Sequence, residues 1–345
     1  MILVTGGMGF IGSNFILRHF GHSDEPVLNL DLLTYAGNPE NLAPLEGDAR
    51  HRFLRADIRD RGLMRKLFLT EKPRAVVHFA AESHVDRSIE GPSVFFETNA
   101  LGTVSLLEAA RALCEAEGDS FRDRFRFLLV STDEVYGSLG RDDPPFTEES
   151  PLRPNSPYSA SKAASDEAAR AWFRTYGLPV ITTHCSNNYG PRQHPEKLIP
   201  LLILRGLEGK PVPVYGTGLN VRDWIAVGDH CEGVRLALER GRPGEAYNFG
   251  GDAEHTNLEI VRAVSRALEA EAGVPPLEAE FVRDRPGHDA RYAIDSSKAA
   301  RDLGWKRSES FEAGIRNTVR WYLRNQEWLR RAAERSEAWR RSHYG

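Results

Sequence analysis

The chain has 345 residues, of which 41% are hydrophobic and 27% charged, and its formal net charge is -4. This is globular composition, long enough for one large domain or two closely joined ones, and it lacks the basic field that marks a nucleic-acid binder. Cys114, Cys185 and Cys231 are odd in number and far apart, and the eleven histidines show no HExxH spacing, which excludes a full disulfide framework and the common zinc motifs.

Ile2–Thr5 reads as a buried strand at a terminus with no basic signal-peptide region. No stretch approaches the roughly 18 apolar residues of a membrane span. A cytoplasmic protein with no membrane, metal or nucleic-acid partner is expected. Gly12 to Phe20 has a helical pattern and Val27–Asp31 is the next strand. Between the two strands stands Gly7-x-Gly9-x-x-Gly12. After a strand and opening a helix, this is the context of a dinucleotide fingerprint. Glycines let backbone N–H groups approach a pyrophosphate, and the helix N-terminus adds its dipole. Gly6, Gly7, Gly9, Phe10, Ile11 and Gly12 are therefore expected to cradle the cofactor. Asp31, 19 residues past Gly12, can accept from the adenosine ribose 2′-OH and would repel a 2′-phosphate, which favours NAD over NADP.

Further strands are expected at Phe53–Asp57, Ala75–Phe79 and Phe127–Ser131. Strands alternating with helices predict a parallel sheet covered on both faces. Ligands of such sheets lie beyond the C-terminal strand ends. Asp57 and Ile58 after one strand, and Ala80, Ala81, Glu82, Ser83 and His84 after another, thus point at the cofactor cleft. Helices are predicted from Ser93 to about Gly118 and from Tyr158, the second with Ser156 as N-cap and Pro157 in its first turn. Both helices suit sheet cover and subunit contact equally.

After Ser186, proline and glycine recur, as at Lys210–Pro213 and Gly216–Gly218, and a second region is expected to begin. Val221–Val227 reads as a strand and Asp229–Arg240 as a helix, both returning to the first domain. The expected fold is α/β: a Rossmann-type doubly wound parallel sheet with a smaller interleaved α/β substrate-binding domain. The boundaries are 1–185 plus about 221–245 for the first domain, 186–220 plus about 246–330 for the second, and 331–345 as a charged, solvated helical tail.

Tyr158 and Lys162 lie four apart, on one face of the predicted helix. A nearby ammonium lowers a phenol's pKa, which would ready Tyr158 to take a proton from a hydroxyl as hydride leaves the same carbon. The strand before that helix ends in Ser131-Thr132-Asp133-Glu134. Two adjacent acids at a strand's C-terminal end are costly unless solvated or functional. Held in different environments, they can serve as base and acid.

The glycine fingerprint, the Tyr158/Lys162 pair and the strand ending at Ser131 together resemble the extended short-chain dehydrogenase/reductase family. Within it, Thr132-Asp133-Glu134 looks like the active site of the dTDP-glucose 4,6-dehydratases. So do the stretches Leu33–Asn38, Ala80–Ser88, Ser186–Pro191, Pro195–Pro200, Arg222–Trp224 and Asp284–Asp289. The resemblance runs to about Leu323 and implies an NAD-dependent conversion of dTDP-glucose to dTDP-4-dehydro-6-deoxy-glucose, within deoxysugar biosynthesis of the dTDP-rhamnose type. The steps are oxidation at C4, loss of water across C5–C6 and return of hydride to C6. A dehydratase or epimerase for another nucleotide sugar is the alternative, although related epimerases lack the acid pair.

The roles the resemblance implies are these. Tyr158, with Lys162, takes the C4 hydroxyl proton, and Thr132 bonds near that oxygen. Glu134 removes the C5 proton, and protonated Asp133 donates to the departing C6 oxygen. Leu32, Leu33, Thr34, Tyr35, Thr98 and Asn188 are cofactor contacts. Ser83, His84, Asn187, Glu196, Lys197 and Leu198 surround sugar and diphosphate. Pro213, Val214 and Tyr215 flank the thymine, Arg222 and Arg285 clamp the diphosphate, and Asn257, His288 and Tyr292 complete the pocket. A homodimer through the helices near Ser93 and Tyr158 is also implied. Arg192-Gln193-His194 replaces an aromatic-rich segment of the family.

Overall fold

The structure, a computed structural model, describes the backbone of residues 1–344 and the side chains of residues 1–335. Seven strands form its main sheet: β1 (Ile2–Thr5), β2 (Val27–Asp31), β3 (His51–Arg55), β4 (Ala75–His78), β5 (Arg126–Thr132), β6 (Val180–Cys185) and β10 (Ala246–Phe249). Their order is β10-β6-β5-β4-β1-β2-β3, and every neighbouring pair is parallel. β1, β2 and β4 are buried at every position, as expected of parallel strands covered on both faces. Side chains alternate across the sheet. Ile2 and Val4 thus join one core with Phe15, Ile16 and Val234, while Leu3 joins the other with Leu28, Phe68 and Leu107. Helices Phe10–His22 and Val227–Arg240 cover the first face, and Arg61–Glu71 and Gly102–Glu117 the second. The chain leaves β1 toward one face of the sheet and β4 toward the other, so a crevice opens beyond their C-terminal ends.

A second unit is built from β7 (Asn187–Tyr189), β9 (Val221–Ala226) and β11 (Glu254–Thr256) in one small sheet, and from the parallel ribbon of β8 (Val212–Tyr215) with β12 (Ala279–Val282). Helices Leu198–Leu207, Asn257–Ala272 and Phe311–Arg324 enclose its core around Leu202, Ile203, Ile260 and Val319.

Several placements differ from the sequence reading. β9 does not return to the main sheet; it pairs with β7 and β11. The helix after it does return. β10, on the far side of the expected boundary near 246, forms the edge of the main sheet against β6. Four residues, Ala246-Tyr247-Asn248-Phe249, are too short to carry a periodic signal, and their strand state comes from pairing. β3 ends at Arg55, so Asp57 lies in the turn beyond. The helix expected from Ser93 is interrupted by a π-helical turn at Phe96–Leu101. The last helix, Gln326–Tyr344, starts in the second core with Trp328 and Leu329 buried; within the tail expected at 331–345, Ala332 is buried, Arg331, Glu334 and Arg335 are exposed, and the side chains beyond 335 lie outside the described residues. Among the described residues no helix is long and apolar enough to cross a membrane.

Candidate active site

A cleft of about 430 Å³ runs across the C-terminal ends of β1, β2, β4 and β5. One end is the glycine-rich loop. Helix Phe10–His22 begins after Gly9 with no side-chain cap, so its first-turn N–H groups lack partners within the helix and face the cleft at Phe10, Ile11 and Gly12. The loop requires glycine for steric reasons. A Cβ on Gly12 would stand 2.3 Å from the Gly6 carbonyl oxygen, and Gly6 has φ +73° with Ala80 N 2.6 Å from any added Cβ. Asp31 accepts from the N–H groups of Met8 (3.0 Å) and Leu33 (2.8 Å). Burial raises its carboxyl, and those two N–H groups pull it back.

Gly6, Gly9, Asp31, Leu32, Thr34, Asp57, Ile58, Ala80, Ala81, Glu82, Thr98 and Asn188 line the cleft. Gly7 does not; it packs against Asn29 and Ile16. Leu33, at φ +59°, turns into the core beside it. Tyr35 is also off the cleft lining. It is buried, with the Arg87 guanidinium 3.7 Å over its ring and His194 edge-on at 5.7 Å.

The π turn explains how the cleft wall is held. Asn99, 1% exposed, accepts from Glu82 N–H (2.8 Å) and donates to Glu82 O (3.0 Å) and Ser161 Oγ (2.8 Å). Its own carbonyl takes the hydroxyls of Thr103 and Ser165. The loop after β4 and the helix carrying Tyr158 and Lys162 thus meet on one side chain. π turns often mark functional sites.

At the cleft's other end β5 delivers Thr132, Asp133 and Glu134 beside Tyr158 and Lys162. Thr132 caps the short 3-10 turn Asp133–Tyr136, accepting from Glu134 N–H at 3.3 Å. The helix Pro157–Tyr176 starts with a full capping box between Ser156 and Ser159, which fixes Tyr158 in its first turn. Lys162 Nζ donates to Val130 O at 2.8 Å. Burial holds the Tyr158 phenol well above its usual range, and Glu134 and Asp133 push the same way while Thr132 lowers it. The sequence reading expected a lowered phenol next to the Lys162 ammonium, but the net direction is upward. The ammonium is aimed at a strand carbonyl, and burial prevails.

The two acids sit in different surroundings. Burial, then the carboxylates of Glu134 and Asp223, hold Asp133 well above the usual carboxyl range. Its Oδ2 is buried without a hydrogen-bond partner. Glu134 is also raised by burial, but Arg285, Arg222 and Lys197 pull it down.

Ser83, Asn187, Glu196 and Lys197 line the same cleft. Lys197 Nζ donates to Ser83 O at 2.7 Å, and Glu196 accepts from Arg87 at 3.0 Å. His84 lies 3.8 Å from Glu196, yet burial pushes its imidazole down to about 2, so it is neutral. The remaining predicted contacts lie in the second unit, off the cleft lining. Arg222 lies over the Tyr292 ring at 4.3 Å and donates to Asp289 O at 2.9 Å. Arg285 pairs with Asp86 at 3.5 Å, Tyr215 donates to Asp86 at 3.1 Å, and His288 bonds Asp284 at 2.6 Å. Tyr215 is exposed, Pro213 half-buried, and Asn257 opens its helix beside Asn220. Val214 instead packs into the second core, and half-buried Leu198 lies against it. The sequence reading did not single out Arg87, Asp86, Asn99, Asn155 or Asp289. Asp86, Arg87 and Asp289 stood inside the family-like stretches; nothing local distinguished Asn99.

A glycine-rich cradle, a Tyr158/Lys162 pair and a split acid pair in one cleft define a nucleotide-sugar-modifying enzyme of the short-chain dehydrogenase/reductase type. A family model described as GDP-mannose 4,6 dehydratase matches residues 3–318. The dTDP-glucose 4,6-dehydratase of Xanthomonas campestris pv. campestris (strain B100) is 56% identical, covering 95% of this chain and 94% of the relative. That of Salmonella typhimurium (strain LT2) is 50% identical over the same shares. The crystal structure of DesIV, a dTDP-glucose 4,6-dehydratase from Streptomyces venezuelae with NAD and TYD bound, superposes with a TM-score of 0.88 at 49% identity, covering 96% of this chain and 99% of that one. The chain belongs to the dTDP-glucose 4,6-dehydratase family.

Proposed function

We propose that the protein dehydrates dTDP-glucose to dTDP-4-dehydro-6-deoxy-glucose, supplying a 6-deoxysugar route, with NAD as resident cofactor. The residues present fit NAD: the uncapped helix N-terminus suits a pyrophosphate, and Asp31 suits an unphosphorylated ribose. Gly6, Gly9, Phe10, Ile11, Gly12, Asp31, Leu32, Thr34, Asp57, Ile58, Ala80, Ala81, Glu82, Thr98, Asn188 and Lys162 would hold it. When bound, it supplies reversible hydride acceptance at the sugar.

The chain's own residues do the rest. Burial favours the neutral phenol, so Tyr158 must act from its ionised form, taking the proton from the C4 hydroxyl and then holding it, and the Thr132 hydroxyl orients that oxygen. Glu134, kept ionisable by three cations, removes the C5 proton, made acidic by the C4 ketone. Asp133, kept protonated by burial and like charges, gives its proton to the C6 hydroxyl as it leaves as water. Arg222 and Arg285 bind diphosphate oxygens, a pairing suited to planar guanidinium groups. The observation that carries this reading is the split between Asp133 and Glu134, because epimerisation at C4 requires no such acid and base.

The main-sheet unit, β10 included, is proposed to hold the cofactor, and the unit around β7–β9 the nucleotide sugar. A homodimer through the helices near Pro92–Glu117 and Pro157–Tyr176 is supported by exposed Phe96, Leu101 and Tyr176. A reducing cytoplasm is supported by three free, buried cysteines. The test is mass spectrometry of the product from purified protein and dTDP-glucose without added NAD. Loss of one water with no build-up of NADH is expected. An unchanged mass, even with NAD supplied, would overturn the reading.

A further inference from the structure

Met8 stands at the crown of the glycine-rich loop with both backbone groups occupied. Its N–H donates to Asp31 Oδ2 at 3.0 Å. Its carbonyl accepts from Asn38 N–H and from Asn41 Nδ2, each at 2.9 Å. Asn41 is 1% exposed, and its other amide atom, Oδ1, accepts the Trp328 indole N–H at 3.1 Å. Trp328 is 287 residues away in sequence, on the last helix, which packs with the second unit. Its ring lies against Trp321 at 5.2 Å. A second route leaves the neighbouring helix. The Tyr322 hydroxyl donates to Gln193 O at 2.7 Å, and Gln193 Nε2 donates to Asn188 O at 2.8 Å. Asn188 lines the cleft. The last two helices therefore reach the glycine-rich loop at Met8 and the cleft wall at Asn188 through buried hydrogen bonds.

We propose that Asn41 is a positioning residue for the cofactor loop, and that Trp328, by fixing the Asn41 amide, sets how long the enzyme retains NAD. A primary amide held at one end only can rotate or flip, and its opposite end then loses the Met8 carbonyl. The indole bond removes that freedom. Arg331 and Arg335 pair with Glu40 beside it at 3.2 and 2.9 Å, but these pairs are exposed and add little. The directional contact is the one between Trp328 and Asn41. The inference rests on the NAD reading given above.

The test is the dissociation rate of NAD from purified holoenzyme, followed by transfer to an excess of a capturing dehydrogenase. Trp328→Phe removes the indole N–H together with part of a buried ring, and its comparison with Asn41→Ala and the double variant separates the hydrogen bond from the lost packing. It should release NAD about fivefold faster, the effect of one neutral hydrogen bond. Its kcat with saturating NAD should match the parent. Asn41→Ala should release NAD faster still, and adding Trp328→Phe to it should change nothing further. Parental release from folded Trp328→Phe, or independent effects of the two substitutions, would overturn the proposal. If Asn41→Ala does not fold, Trp328→Phe alone decides. A parent protein that binds no NAD would overturn the reading of the site itself.

Discussion

Asn155 donates its side-chain N–H to Asp289 Oδ1 at 2.6 Å. This joins the loop leading into the Tyr158 helix to the loop of the second unit that carries His288. The other Asp289 oxygen accepts the Tyr292 hydroxyl, and the Tyr292 ring supports Arg222. Asp289 and Tyr292 are buried while Asn155 is exposed, so removing the carboxylate strands the Tyr292 hydroxyl. Asp289→Ala should raise KM for the nucleotide sugar about tenfold or more, matching the 1–3 kcal/mol cost of a buried unsatisfied group, with a smaller fall in kcat. Steady-state kinetics separates the two. An unchanged KM would show that Arg222 is held without Asp289.

Glu134→Gln keeps the shape of the side chain and removes the base. Loss of a general base typically costs about 10²–10⁴ in rate. Water loss, read by product mass, should fall within that range, while nucleotide binding, read by calorimetry, stays near parental. Dehydration at the parental rate would place the base elsewhere.

The same carboxyl predicts a pH effect. Burial raises Glu134, and Arg285 is the strongest influence pulling it down. Removing a neighbouring cation disfavours the ionised form. Arg285→Met should therefore move the acid limb of the kcat profile to higher pH, because the base is lost earlier as pH falls. The alkaline limb, where Asp133 must stay protonated, should move less, since burial, Glu134 and Asp223 dominate the surroundings of Asp133. The limbs report the coupled pair rather than single residues. An acid limb that stays in place would remove Arg285 from the base's surroundings.

Local pattern made part of this site readable in advance. Gly7-x-Gly9-x-x-Gly12 and Asp31 belong to one strand–helix–strand unit, and Tyr158 and Lys162 to one helical face. What stayed hidden depends on distant partners. β10 becomes a strand through β6, more than sixty residues earlier in the chain. Val214 looked available because its neighbours Pro213 and Tyr215 do face outward, yet strand alternation turns it into the core. Lys162 was expected beside the Tyr158 phenol, and only the fold reveals that Val130 O takes its ammonium.

Asn99 gives the sharpest stability test. Both Nδ2 hydrogens are used, on Glu82 O and Ser161 Oγ, and Oδ1 accepts Glu82 N–H. Ser161 spends its own hydroxyl proton on Tyr158 O, so toward Asn99 it acts as an acceptor. Asn99→Ala removes three hydrogen bonds and should cost about 2–3 kcal/mol. Asn99→Asp is nearly isosteric but places a carboxylate against two acceptors, Glu82 O and Ser161 Oγ. It should therefore be more damaging than alanine, the reverse of what size alone suggests. Urea unfolding of both variants checks the order. An aspartate variant as stable as the parent would mean that the donors, and hence the tie between the Glu82 loop and the catalytic helix, contribute nothing.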